Sequence, residues 1–123
     1  MLSQSRALPV LITRPEPQAS RFASALRDRY GNRVDPVLTP LLEPSFLTPD
    51  LRGMSFRSVV LTSETGARAA AALAGLPAQA FCVGDRTAEV ATDLGFQAIS
   101  AKGDAGDLFH LLRAQPEHAP FLH

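Results

Sequence analysis

Short apolar runs alternate with helical patterns along the second half of the chain. There are three such pairs, at residues 58–62 with 63–74, 80–83 with 85–94, and 96–100 with 104–113. Strands that alternate with helices form βαβ units and a mainly parallel sheet. Right-handed crossovers then place helices on both faces of that sheet. The sequence therefore predicts an α/β fold, a parallel sheet flanked by helices, of the flavodoxin-like type.

The first part of the chain contains one more pair of this kind. Residues 8–13 form a continuous apolar run, which predicts a strand buried on both faces. Residues 17–30 have helical spacing, with an apolar stripe made of Ala19, Phe22, Ala23, Leu26 and Tyr30. Gly31 follows as the expected C-terminal cap of this helix.

A proline-rich segment separates these two parts. Residues 33–49 contain Pro36, Pro40, Pro44 and Pro49. A central strand does not accommodate so many prolines, whereas an edge strand or an extended linker does. We therefore expect the boundary between two structural units in this segment.

Charge and cysteine content exclude several classes of protein. The 123 residues include 12 basic and 12 acidic ones, so no overall field attracts nucleic acid or an anionic membrane. Cys82 is the single cysteine, which excludes an intrachain disulfide. No apolar run approaches the roughly 20 residues of a membrane span, and the N-terminus lacks a signal-peptide pattern. These features fit a cytoplasmic protein.

The sequence lacks the common motifs for cofactors. It has neither a Walker A loop nor a Gly-x-Gly-x-x-Gly fingerprint, which disfavours nucleotide binding by the usual routes. His110, His118 and His123 have no cysteine or carboxylate partners at ligand spacing, so we expect no metal site. No paired carboxylates stand out for acid–base chemistry.

Small polar residues and glycines follow the predicted strands, and a helix begins directly after them. These residues are Arg14, Thr62, Ser63, Gly84, Gly103 and Asp104. In an open parallel sheet, ligands bind at the carboxyl ends of the strands. Helix starts there offer unpaired N–H groups and the positive end of the helix dipole. Such an edge suits a ligand that carries several carboxylates.

The same positions also have a purely structural interpretation. Ser63, Asp85 and Asp104 are residue types that commonly cap helix N-termini. Taken singly, each is more typical of a cap than of a binding site. The recurrence along one edge favours an anion site in general, without identifying the ligand.

Several short motifs resemble the N-terminal half of the uroporphyrinogen-III synthase family. They are Leu-Ile-Thr-Arg-Pro-Glu at 11–16, Pro-Leu-Leu-Glu-Pro at 40–44, Val-Val-Leu-Thr-Ser at 59–63, Val-Gly-Asp-Arg-Thr-Ala at 83–88 with Gly-Phe at 95–96, and Gly-Asp-Ala at 103–105. Their order and spacing over about residues 8–113 carry the resemblance. The sequence Glu-Thr-Gly-Ala at 64–67 departs from the family, which usually has Asn or another small residue before Gly-Val.

The resemblance implies two similar α/β domains with interleaved connectivity. Residues 1–36 would supply the first strand and helix of a domain that a C-terminal half completes. Residues 37–49 would form an interdomain linker strand, and residues 50–123 most of the second domain. The end of the chain at 119–123 looks like a new strand that is cut off as it begins, so we expect the protein to continue.

The resemblance also implies an activity. The family's enzymes are lyases that close hydroxymethylbilane into uroporphyrinogen III with inversion of the terminal pyrrole ring, and no cofactor is implied. Thr87 matches the family's Thr in a Gly-x-x-Thr-Ala motif and is the candidate catalytic residue. The candidate substrate-binding residues are Arg14, Thr62, Ser63, Gly84, Gly103 and Asp104. We expect a cytoplasmic monomer when full-length, without nucleic-acid or membrane partners, and an inactive isolated chain.

Two other functions remain open at this point. A flavodoxin-like module that binds a phosphate or carboxylate without catalysis explains the helix starts equally well. An interaction fragment without a ligand is the third hypothesis. The binding module does not account for the proline-rich segment or for the abrupt end of the chain.

Overall fold

A computed structural model describes residues 6–123, and the chain divides into two units between Ser45 and Phe46. The first unit contains strand β1 (Leu8–Ile12), helix α1 (Gln18–Tyr30) and strand β2 (Val34–Leu38). The two strands pair in parallel, from Leu8 opposite Val34 to Ile12 opposite Leu38. The α1 residues Ala19 and Ala23 are buried against Ile12, so the helix covers one face of the sheet.

The burial predicted for the first strand is wrong. Only Ile12 is buried in β1, whereas Leu11 is 68% exposed. The physical reason is that two strands are covered by a helix on one face alone. Of the predicted apolar stripe of α1, Ala19 and Ala23 are buried, whereas Phe22 and Tyr30 are exposed.

The expected helix end and edge strand are both present in this unit. Gly31 follows α1 with a φ of 55°, and its N–H donates to the Arg27 carbonyl, which confirms it as the C-terminal cap. Pro36 lies within β2. Both strands of a two-stranded sheet are edges, so a proline is tolerated there.

The second unit contains four parallel strands with helices between them. Its elements are β3 (Ser58–Leu61), α2 (Glu64–Ala71), β4 (Gln79–Cys82), α3 (Asp85–Asp93), β5 (Gln97–Ser100), α4 (Ala105–Arg113) and β6 (Phe121–Leu122). The strand order is β5-β4-β3-β6. All three neighbouring pairs are parallel, which confirms the predicted α/β fold class. The strand predicted at the end of the chain is present as β6.

Helices cover both faces of the second sheet, as predicted. On one face, α2 and α3 pack on the sheet through a cluster that includes Val59, Leu61, Ala67, Cys82 and Val90. On the other face, Leu108 of α4 packs against Val60 and Phe81. Leu111 and Leu112 join this second cluster, so the predicted leucine face of α4 is confirmed.

This topology places the ends of all four strands of the second sheet along one edge. Because all four strands are parallel, their carboxyl ends meet at the same side of the sheet. We call the residues that follow β3, β4, β5 and β6 there the carboxyl edge. None of the helices within residues 6–123 is long and apolar enough to cross a membrane.

Candidate functional site

The carboxyl edge brings most of the sequence-predicted site residues together. Thr62 and Ser63 follow β3, Gly84 follows β4, and Gly103 and Asp104 follow β5. Because β4 lies between β3 and β5, Gly84 occupies the central position among them. On the other side of β3 lies β6, which His123 follows. The Nε2 atom of His123 lies 3.5 Å from the Thr62 hydroxyl.

The start of α2 is closed by its own cap. The Ser63 hydroxyl accepts a hydrogen bond of 2.9 Å from the Gly66 N–H, which confirms Ser63 as an N-cap. One of the unpaired N–H groups of this helix is therefore already satisfied. The Ser63 hydroxyl keeps its own proton for donation to a ligand.

The start of α4 is closed by two carboxylates. Asp104 Oδ1 accepts bonds from the N–H groups of Gly106 at 2.8 Å and Asp107 at 3.1 Å. Asp107 Oδ2 in turn accepts from the Asp104 N–H at 2.9 Å, which completes a capping box. The backbone bonds from Asp107 and then Gly106 lower the pKa of Asp104. Asp104 is the predicted N-cap, and a carboxylate ligand would meet negative charge at this helix start.

Gly103 makes room for that capping box. A Cβ on Gly103 would overlap the Asp107 carboxylate and lie 2.6 Å from its Cγ. The Gly103 N–H donates to the Val83 carbonyl at 3.2 Å, which fixes the loop after β5 to the loop after β4. The glycine is thus explained by packing within the protein.

The start of α3 is open. Its N-cap is Gly84, which has an extended backbone and no side chain to offer a bond. The prediction that Asp85 caps this helix is wrong, because Asp85 is the first helical residue and its side chain makes no capping bond. Within residues 6–123, the N–H groups of Asp85, Arg86 and Thr87 have no protein acceptor.

Nothing in the protein itself requires a glycine at position 84. Its φ of −147° is accessible to every residue, and the nearest atom to an added Cβ is the Gly103 carbonyl oxygen at 4.0 Å. The effect of the glycine is to leave the three N–H groups accessible. These groups, with the positive end of the helix dipole, form an anion-binding position.

Thr87 lies in the first turn of α3, as predicted from the sequence. It is only 6% exposed, and its hydroxyl makes no hydrogen bond to any other described residue. The Cα–Cβ bonds of helical residues tilt toward the helix N-terminus, so the Thr87 side chain leans toward the open start. The side chain is therefore largely buried, while its hydroxyl remains available to donate to or accept from a ligand.

An ion pair that the sequence reasoning missed joins two of these helix starts. Glu64 is buried, and its Oε1 accepts a bond of 2.9 Å from Arg86 Nε. Arg86 also contacts Glu89 at 3.1 Å, while Arg68 lies 3.7 Å from Glu64 Oε2. The bond to Glu64, followed by that to Glu89, raises the pKa of Arg86. The one feature of the sequence that could have indicated this pair is that Glu64 and Arg86 each lie at the start of the helix that follows one of two neighbouring strands.

The remaining predicted residue belongs to the first unit. Arg14 follows β1 and is exposed. The chain beside it is held by a bond from the Leu41 N–H to the Thr13 carbonyl at 3.2 Å. No cluster of His, Cys, Asp or Glu able to hold a metal ion occurs in the part of the chain that the structure describes.

Comparison with known families gives one match. The family model HEM4, described as "Uroporphyrinogen-III synthase HemD", matches residues 20–123, which is more than half of the chain. A comparison with curated proteins gives no match.

Proposed function

The chain belongs to the uroporphyrinogen-III synthase family, and from this premise we propose that it serves the cyclisation of hydroxymethylbilane to uroporphyrinogen III. In this lyase reaction the linear tetrapyrrole loses its hydroxyl group as water. The ring then closes with inversion of the terminal pyrrole. The chain's part is to bind and orient the substrate at the carboxyl edge of its second unit.

The open start of α3 is the observation that carries this proposal. Gly84 leaves three N–H groups accessible, and Thr87 adds a hydroxyl without a partner. A substrate with a carboxylate on every side chain fits such a position, because N–H groups at a helix start bind carboxylates without a charged side chain. The starts of α2 and α4 differ in having side-chain caps, which satisfy one N–H group at α2 and two at α4.

The reaction sets a problem of positioning. A flexible bilane closes spontaneously without inversion, so the enzyme must hold it in the geometry that favours the inverted product. Fixed N–H groups do this at little reorganisation cost. In this proposal the Thr87 hydroxyl donates either to the departing hydroxyl of the bilane or to a substrate carboxylate.

The other candidate residues take supporting roles in this proposal. Thr62 and Ser63 flank the α3 start on the β3 side, and Ser63 retains a hydroxyl proton for a ligand. Gly103 and Asp104 hold the loop on the β5 side in place through the capping box. Arg14, at the end of β1, is a guanidinium suited to a further substrate carboxylate.

The family's interleaved organisation is part of the same proposal. Residues 1–36 would begin one domain, residues 37–49 would link the domains, and residues 50–123 would form most of the other. The separation of two units between Ser45 and Phe46 supports a boundary in the proline-rich segment. A cytoplasmic monomer without nucleic-acid or membrane partners completes this picture.

Binding of a tetrapyrrole tests the proposal directly. Uroporphyrin III, the oxidised form of the product, is titrated into the chain and its fluorescence is followed. We expect saturable binding that an excess of citrate does not displace. Equal displacement by citrate would indicate a general anion-binding module, and no binding at all would contradict a substrate site on this chain.

A further inference from the structure

Lys102 adopts a backbone conformation that lysine rarely takes. Its φ is 57°, and it is the single residue other than glycine with a positive φ between residues 6 and 123. Glycine reaches this left-handed region without steric cost, whereas a Cβ is penalised there. Such an outlier, in a loop of the carboxyl edge, motivates a search for a function.

The backbone explains the left-handed turn but not the lysine. The Ala101 N–H donates to the Cys82 carbonyl at 2.8 Å and continues the pairing of β5 with β4. Regular continuation would next place the Gly103 N–H on the Gly84 carbonyl. Instead Gly103 donates to Val83, and the Gly84 carbonyl accepts from Ala88 as the first bond of α3.

The turn at Lys102 thus shifts the pairing by one residue and frees the Gly84 carbonyl for the helix. Glycine would make this turn more easily than lysine does. The turn itself therefore does not explain the presence of a long cationic side chain at this point.

The charge of Lys102 is exposed and belongs to a loop that is bonded to the residues directly before the open helix start. Lys102 is exposed and is the only lysine of the chain. Its side chain has no ion-pair partner among residues 6–123. It lies between Ala101 and Gly103, which are both bonded to the residues directly before Gly84.

A cation next to the open helix start would favour the binding of a carboxylate there. Asp85, the first residue of α3, places a negative charge in its first turn. A ligand carboxylate approaching the three N–H groups would be repelled by it. A lysine in the adjacent loop would offset this repulsion. Thr87, a polar side chain that is only 6% exposed and has no hydrogen-bond partner among the described residues, independently points to a ligand at this helix start.

We propose that Lys102 is a substrate-binding residue that pairs with a carboxylate side chain of the tetrapyrrole held at the start of α3. This inference rests on the proposed function and adds the charged group that sets the preference for carboxylates. In this proposal the left-handed backbone is the cost of carrying a cation in the loop next to the start of α3.

Three variants of the chain test this role with uroporphyrin III as the probe. Lys102→Gly removes the charge and keeps the turn, and we expect binding to weaken about tenfold. Lys102→Arg keeps the charge and should bind within about twofold of the unchanged chain. The binding of Lys102→Gly should also depend less on salt concentration, because one ion pair with the ligand is lost.

Thermal stability separates binding from a structural role. Lys102→Gly should raise the melting temperature by a few degrees, because glycine adopts the turn freely. Lys102→Asn, which also tolerates the left-handed region, repeats the test if the glycine variant is poorly behaved. Higher stability combined with weaker binding is the expected result.

Other results overturn the inference. If the unchanged chain binds uroporphyrin III and the glycine or asparagine variant binds equally well, Lys102 has no role while the proposed function stands. If Lys102→Arg binds uroporphyrin III as weakly as Lys102→Gly does, the positive charge at position 102 does not contribute to binding. If the unchanged chain does not bind at all, both this inference and the substrate site fall.

Discussion

The carboxylate of Glu64 accepts a hydrogen bond of 2.9 Å from Arg86, so the first residue of α2 is joined to the first turn of α3. Glu64 is 7% exposed, whereas the guanidinium of Arg86 is half-exposed. Arg86 directly precedes Thr87 in the sequence. The pair therefore fixes the open helix start relative to its neighbour across the sheet.

Replacing this buried acid should lower stability. Glu64→Gln keeps the volume but removes the charge that Arg86 and Arg68 face, so we expect a lower melting temperature. Glu89→Gln is the matched control, since Glu89 contacts the same guanidinium from an exposed position. It should leave the melting temperature nearly unchanged. Equal effects of the two substitutions would contradict the importance of burial.

Removal of the Thr87 hydroxyl should separate binding from folding. Thr87→Val keeps the shape, and because the hydroxyl has no hydrogen-bond partner among the described residues, we expect stability to change little. Binding of uroporphyrin III should weaken by roughly tenfold, the value of one bond to a charged group. Thr92→Val on the same helix is the control, since the Thr92 hydroxyl already donates to Ala88. A Thr87 variant with lower stability and unchanged binding would remove Thr87 from the site.

Acid should weaken the cap of α4. The pKa of Asp104 is lowered in the folded protein by backbone hydrogen bonds. Its stabilising contribution is therefore complete above the unfolded pKa of about 3.9 and disappears as the pH falls through the lower folded value. Thermal melts at descending pH should show a shallower loss for Asp104→Asn than for the unchanged chain. Asp93→Asn, at the other end of a neighbouring helix, should leave the acid dependence unchanged.

Two glycines of the carboxyl edge should respond in opposite ways to alanine. Gly103→Ala places a methyl group against Asp107, and disruption of the capping box should cost about 1 kcal/mol of unfolding free energy. Gly84→Ala meets no atom closer than 4.0 Å, so stability should hardly change. Its methyl group at the open helix start should nevertheless weaken porphyrin binding. Chemical denaturation and fluorescence titration on both variants check these expectations.

Hydrogen exchange should distinguish the two sheets. Every residue of β3 is buried, whereas most of β1 is exposed in a sheet of two strands. Two-stranded sheets are marginally stable on their own. Amides over Val59–Leu61 should therefore be protected more strongly than those over Leu8–Ile12. Equal protection would mean that β1 is stabilised further, either because the chain closes on itself or because it exchanges this strand with a second copy.

Sequence reasoning located the helices and strands well because their signals are local. The start of α2 was placed at Ser63 and that of α4 at Asp104, and each helical segment begins one residue later, with these residues as caps. At α3 the same reasoning selected Asp85, because its side chain is a common cap. The actual cap is Gly84, which has no side chain to bond the first N–H groups of the helix.

Features that depend on distant parts of the chain were not predictable in this way. The exposure of Leu11 depends on how much of the sheet α1 covers, which an apolar run does not reveal. The contact between Glu64 and Arg86 joins residues separated along the chain by the rest of α2, by β4 and by two loops. The turn at Lys102 accompanies a shift in strand pairing by one residue, and no residue type in the loop indicates such a shift.

The burial of Cys82 has a practical consequence for studying this protein. The thiol lies in the core of the second sheet, and burial raises its pKa to about 11, so it is protonated and shielded at neutral pH. Alkylating reagents require the thiolate and physical access. Cysteines introduced along the carboxyl edge would therefore take a fluorescent label selectively. In the unlabelled chain, the rate of alkylation at Cys82 would report how often the second unit opens.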